Sequence, residues 1–149
     1  VCLLRPKSRG AVTLASADPS AAPLIDPNFL GEVEDLEAMV AGFKLTRRIM
    51  EAPALKSQAT GEMFSAGVES DDQIRDFLRR RVDTVYHPVG TCAMGPDPAT
   101  AVVDAQLRVH GLEGLRVVDA SIMPTLIGGN TNAPTMMIGE KAADLIRAA

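Results

Sequence analysis

The stretch LIGGNTNAPTMMIGEKAADLIRAA, residues 126–149, decides how its surroundings are read. Its second half is an amphipathic helix by pattern, with Ile138, Ala142 and Leu145 on one face and Glu140, Asp144 and Arg147 on another. Its first half is a glycine pair followed by Asn130, Thr131 and Asn132, with Pro134 in the first helical turn, where proline is well tolerated. Glycines let a backbone pass close to a bound group. Asn132 in ordinary capping geometry accepts the Thr135 amide, which gives one asparagine a role and leaves Asn130 and the glycines without one. A glycine-rich approach to a helix start also presents free amides and the positive end of the dipole, which suits an anion or a ring that becomes anionic.

Upstream, residues 84–124 read as strands and tight loops, with residues 115–118 a candidate buried strand. Here lies VYHPVGTCAMG, residues 85–95. Pro88 disfavours helical geometry at His87, so this histidine is expected on extended backbone leading into a Val89-Gly90 turn. Val85, two residues earlier on such a backbone, is expected to point the same way and line a substrate pocket. A lone histidine of this kind is more often structural than catalytic. His110, in RVHGLEG, is expected at the surface in a turn, and Cys92 with Met94 as a buried soft pair.

Further upstream, residues 1–4 and 11–14 have strand character between turn signals at Pro6, Gly10, Asp18-Pro19 and Asp26-Pro27, and predict antiparallel strands. Leu36, Val40, Phe43 and Met50, with Met39 beside them, then predict a helix over residues 32–51, with Glu32 and Glu34 in its first turn and Pro53 beyond its end. Ser70 opens a second helix whose apolar face carries Ile74, Phe77 and Leu78, with acids at its front and arginines at its back.

Composition narrows the function. The chain has 149 residues, the size of one ordinary domain, and is 46% hydrophobic, enough to bury a core. With 15 basic and 19 acidic residues it carries a net charge of −4, and the only basic run is residues 79–81, which argues against a nucleic-acid partner. No apolar run reaches the roughly 20 residues of a membrane-spanning helix. Two separated cysteines fit a reduced, cytoplasmic location better than a disulfide framework. The chain begins without methionine and runs at once into strand-like sequence, which reads as the tail of something longer.

Several chemistries lack their residues. Ser121, in VVDASIMP, has no G-x-S-x-G elbow, so a Ser121–His87–Asp119 hydrolase is a weak rival. His87 and His110 share no zinc-ligand spacing, and no metal is expected. Neither a Walker loop nor G-x-G-x-x-G occurs.

Taken in order, YHPVGTCAMG and VVDAQLRVHGLEGLRVVDASIMPTLIGGNTNAPTMMIGEKAADLI, with RPKSRGAVTLASADPSAAPLIDPNFL as a looser third match, resemble the C-terminal region of the glucose-methanol-choline (GMC) family of FAD-dependent oxidoreductases, nearest its bacterial choline and alcohol dehydrogenases. The resemblance covers almost the whole chain. It implies an α+β fold: an antiparallel sheet of the substrate domain, flanking helices and a C-terminal amphipathic helix. It makes residues 1–149 the substrate and catalytic domain, with the FAD-binding N-terminal domain outside this chain.

The resemblance further implies a flavin enzyme oxidising a primary alcohol to an aldehyde, with choline as an alternative substrate, and with oxygen or a quinone-type compound as acceptor. By position, His87 matches the family's catalytic base and Asn130 its partner. A base must take the hydroxyl proton while the carbinol hydrogen faces the flavin, and an imidazole can do so. Asn130 cannot act as a base, but its amide can orient the alcohol oxygen. Asp119 and Ala120 match the segment that passes beside FAD, and the helix start at Thr131 and Asn132 would face negative charge on the flavin ring. One departure is Ala93, where relatives often carry a larger or basic residue; it bears on a contact there and not on the reaction. Without the dinucleotide-binding region the isolated chain is expected to hold FAD weakly and to give no turnover. A choline site would want an aromatic cage, and the chain has no tryptophan and one tyrosine, Tyr86. The rival reading from the same ancestry is a non-enzymatic binding or assembly module, and a homo-oligomer is left open.

Overall fold

The computed structural model describes residues 1–148. It contains a two-stranded antiparallel sheet, β1 (Ala11–Thr13) and β2 (Leu24–Asp26), and α-helices α1 (Val33–Met50), α2 (Pro53–Lys56), α3 (Asp71–Arg81) and α4 (Asn132–Arg147). A short 3-10 helix spans Ala120–Ile122. The C-terminal helix ends within the described residues, and residue 149 of the predicted segment lies outside them. The chain divides into two compact units, Val1–Val85 and Tyr86–Ala149, each with its own apolar core.

In the first unit the strands pair Ala11 with Asp26 and Thr13 with Leu24. Residues 1–4, predicted as a strand, join no ladder. The chain past Pro6 is drawn elsewhere: the Lys7 and Ser8 amides donate to the Asp35 carboxylate at 2.9 and 2.7 Å, and the Ser8 hydroxyl donates to it at 2.5 Å. The strand that does pair with β1 lies between Pro23 and Pro27, prolines that read as punctuation.

Helix α1 buries Leu36 and Val40 against Ile74 and Leu78 of α3, with Met39 and Phe43 packed at the edge. The Phe43 and Phe77 rings meet at 5.7 Å between centroids, a tilted arrangement that aromatic quadrupoles favour. The predicted stripe fades at its end, where Met50 is exposed. Ser70 caps α3 as expected, in a reciprocal capping box with Gln73. Pro53 does more than stop α1, since it is the first residue of α2. The buried acid of α1 is Asp35, only 5% exposed, where the sequence pattern drew attention to Glu32 and Glu34. Asp35 lies four residues before Met39, on the helix's apolar side, and that position was the available signal.

The second unit packs Val103, Leu107, Ile122, Met123, Ile138 and Ala142 into one cluster, with Leu145 at its margin. The α4 face predicted from Ile138, Ala142 and Leu145 is therefore the inward one. Residues 115–118 are not a buried strand: Leu115 is 49% and Val118 38% exposed. Gly111 and Gly114, at φ 76° and 69°, fold this segment into a tight turn against residues 107–109, so that it is paired on one side only, through the Arg108–Arg116 bridge.

Candidate functional site

The site assembles within the second unit, on three pieces of chain. The first is the loop that follows Tyr86. Tyr86 itself has φ 62°, a left-handed conformation uncommon for a bulky residue, and Gly90 has φ 87°. A Cβ built at Gly90 would lie 3.2 Å from the Met123 carbonyl oxygen, so glycine meets both a steric and a conformational demand. Beyond it, the Cys92 amide donates to the Ser121 carbonyl at 2.9 Å and the Met94 amide to the Ile122 carbonyl at 2.8 Å. These bonds stitch the loop to the second piece, the 3-10 helix, whose Ile122 is buried in the core.

Asp119 caps that 3-10 helix: its extended backbone aims the carboxylate at the Ser121 amide, 2.7 Å away. Ala120 is half-buried against the core. The Ser121 hydroxyl is buried and has no hydrogen-bond partner.

The third piece is the approach to α4. Asn130 is exposed, and its Nδ2 lies 3.1 Å from Nε2 of half-buried His87, 43 residues away in sequence. Of the residues predicted for the site, these two are brought into hydrogen-bond contact. Asn132 is not the helix cap. The helix begins one residue earlier than expected, with Thr131 at the boundary in a helical conformation, and no side chain caps its start. The Thr131 carbonyl accepts both the Thr135 amide, at 3.0 Å, and the Thr135 hydroxyl, at 2.7 Å, which takes Thr135 out of Asn132's reach as a capping donor. The first turn of α4 therefore keeps amides without side-chain acceptors, at the end where the helix dipole is positive.

Val85 falls in the first unit and is 55% exposed. The alternation that set it on the same side as His87 requires extended backbone through Tyr86, and Tyr86 is left-handed. His110, expected at the surface, is half-buried, with Nε2 3.0 Å from the Gly95 carbonyl oxygen. The His110 amide pairs with the Val102 carbonyl at 3.0 Å and folds the 108–116 turn back toward Gly95. Cys92 and Met94 are half-buried, and both thiols of the chain are free. Among the described residues no three His, Cys, Asp or Glu side chains gather as a metal site, and no helix is long and apolar enough to cross a membrane. Sequence reasoning did not foresee Met123, whose carbonyl limits position 90, nor the Cys92 and Met94 amides as anchors of the loop.

The His87–Asn130 contact thus lies directly before the start of α4, whose first turn has no side-chain cap. The chain belongs to the GMC oxidoreductase family, whose model matches residues 6–139. It is 54% identical over 147 residues to an alcohol dehydrogenase [acceptor] of Pseudomonas putida, a match covering 98% of this chain and 26% of that protein. It is 51% identical over 146 residues to an oxygen-dependent choline dehydrogenase of Escherichia coli, covering 97% of this chain and 26% of the relative. Among solved structures, a formate oxidase of Aspergillus oryzae studied for FAD modification superposes with a TM-score of 0.88 at 34% identity, over 98% of this chain and 26% of that one. The chain thus spans about a quarter of the length of the curated relatives it matches. GMC oxidoreductases are FAD-dependent enzymes.

Proposed function

We propose that this chain carries the proton-transfer site of an FAD-dependent oxidoreductase that oxidises a primary alcohol to an aldehyde. The observation behind the reading is the His87–Asn130 contact at 3.1 Å. Bound FAD supplies the acceptor for the hydride that leaves the carbinol carbon. His87 takes the hydroxyl proton, so that negative charge develops on the oxygen and the carbinol hydrogen becomes a better hydride donor. Asn130 holds the alcohol oxygen within reach of the ring and fixes its orientation.

Two features fit the flavin. The uncapped first turn at Thr131 and Asn132 offers backbone amides to negative charge. Asp119, at the start of the 3-10 helix, is exposed, and Ala120 beside it is half-buried, so this segment presents surface to a neighbouring group. We assign Asp119, Ala120, Thr131 and Asn132 to holding the flavin, which makes residues 1–149 a substrate and catalytic domain that gives no turnover apart from the FAD-binding region. A primary alcohol is preferred to choline because the chain offers one tyrosine and no tryptophan toward a quaternary ammonium.

The test is the visible spectrum of the protein made from its complete gene, followed anaerobically as a primary alcohol is added, with a His87→Ala variant alongside. Bleaching of the flavin band that the variant nearly loses supports the reading. A protein without a flavin band sinks it and turns attention to the assembly-module alternative.

A further inference from the structure

Between Ala59, whose amide donates to the last carbonyl of α2, and Val68, which packs on the core of the first unit, the chain has no regular structure. The only backbone hydrogen bond of residues 60–67 among the described residues is a local one, from the Val68 amide to the Ser65 carbonyl at 3.0 Å. What holds this segment is one side chain. Arg47, in the last turn of α1, donates from Nε and Nη2 to the two carboxylate oxygens of Glu62, at 2.5 and 2.6 Å. Its Nη2 also donates to the Ser65 carbonyl, at 2.9 Å, and its Nη1 to the Val68 carbonyl. The same guanidinium lies 4.5 Å over the Phe43 ring, a cation–π contact that helps to hold the fork in place. The Ser65 hydroxyl adds a bond to Glu62 at 2.6 Å.

We propose that residues 60–67 are a surface strap that opens as a unit, with Arg47 as its buckle. Charge-assisted bidentate bonds are the strong ones, and here they converge on one fork, so its release frees Glu62 and Ser65 together. Gly61 and Gly67 stand near the two ends, at φ 136° and 80°, and no atom lies within 4 Å of where a Cβ would sit on either. Both ends therefore have the backbone freedom and the space to swing. Val68, held in the core, is the fixed end, and Arg47 ties the strap back to it. The tip carries Met63 and Phe64, 84% and 66% exposed. Phe64 meets the Arg81 guanidinium at 4.2 Å, an exposed contact weaker than the buckle. With Phe77, Arg80, Arg81, Val82 and Asp83 it walls a cavity of about 510 Å³. Opening withdraws Phe64 from that wall and widens access to Phe77, so Arg47 governs how much of this apolar surface the first unit presents.

The strap is tested on the protein made from its complete gene, independently of the alcohol-oxidation reading, by the rate of chymotryptic cleavage after Phe64, read from fragment masses. A protease needs several residues of open chain, so under mild digestion the rate follows the population of the open strap. Arg47→Gln is expected to raise that rate about tenfold or more. Arg47→Lys should raise it less, since an ammonium keeps a charge for Glu62 but cannot span Glu62, Ser65 and Val68 at once. Arg75→Gln is the control: Arg75 joins α3 to Glu37 of α1 through Nε and Nη2, at 2.7 and 3.0 Å, and makes no bond to the strap. Its loss is expected to leave cleavage after Phe64 unchanged. If Arg47→Gln does not fold, Glu62→Gln weakens the same buckle from the strap's side. The proposal is overturned if neither buckle variant speeds cleavage, or if the unchanged protein is cut as fast as a free peptide spanning residues 57–69. It is equally overturned if Arg75→Gln speeds cleavage as much as Arg47→Gln, which would make the effect one of general stability.

Discussion

The Cys92 amide donates to the Ser121 carbonyl at 2.9 Å, so the loop that carries His87 is fastened to a turn anchored in the core. Gly90 lies between that fastening and the imidazole. Its φ of 87° is unfavourable for any residue with a Cβ, by about 1–2 kcal/mol, and the Met123 carbonyl leaves little room for one. Gly90→Ala is therefore expected to lower unfolding stability by about that amount and to slow flavin reduction by displacing His87. Urea unfolding and anaerobic stopped-flow on the same preparation measure both. An alanine variant with unchanged stability would show that the glycine is not required there.

Removal of the imidazole itself is a sharper test of the chemistry. A positioned general base contributes roughly 10²–10⁴-fold, and glutamine keeps a polar side chain in place without supplying a base. His87→Gln is expected to lower the rate of flavin reduction by an amount in that range while alcohol binding changes much less. An equal loss in binding and rate would point to a disrupted pocket rather than a missing base.

Ser121 invites the rival hydrolase reading, and the geometry speaks against it. Its hydroxyl is buried and makes no hydrogen bond, to His87 or to any other group. A serine activated for attack needs a base at hydrogen-bond distance. A serine-directed phosphonate is accordingly expected to leave the chain unlabelled. Ser121→Ala should leave stability unchanged or slightly raised, because it removes a buried polar atom that nothing satisfies. Labelling at Ser121, detected by intact mass, would revive the hydrolase.

How much was legible in advance follows the range of the interactions involved. Helices α1, α3 and α4 announced themselves through local pattern: the Leu36–Val40 spacing, the Ser70–Gln73 box and the Ile138–Ala142 face are properties of neighbouring residues. His87 and Asn130 could be paired only through the family resemblance, because 43 residues separate them and no spacing rule reaches that far. The errors came where a distant partner claimed a group that local reading had assigned nearby. The Lys7 and Ser8 amides went to Asp35 instead of a strand, and the His110 ring went to Gly95 instead of solvent. Asn132 was misplaced by one residue of helix, which is enough to turn a cap into a first-turn position.

Asp35 supplies a pH test of the first unit. Burial by itself would raise its pKa, but the Lys7 amide and the Ser8 hydroxyl and amide donate to the carboxylate, and together with the nearby Lys7 charge they hold it below the ordinary aspartate range. A group whose folded pKa lies below its unfolded value of about 3.9 stabilises the fold above that value and loses the contribution as pH falls through the folded pKa. Asp35→Asn keeps one acceptor oxygen but removes the charge, and should cost about 1–3 kcal/mol at pH 7, the range expected when buried donors lose their partner. The gap between the two proteins should then narrow steadily below about pH 4. Glu37, Glu62, Asp71 and Asp104 also have lowered pKa values and add to the acid sensitivity of both proteins, so their share cancels in the difference, which reports Asp35 together with its neighbour Glu34, whose carboxyl the Asp35 charge pushes up. Urea midpoints at pH 7 and pH 3 give that difference. A gap of the same size at both pH values would mean that the Asp35 charge does not secure the segment around Lys7 and Ser8, and that its oxygens act as neutral acceptors.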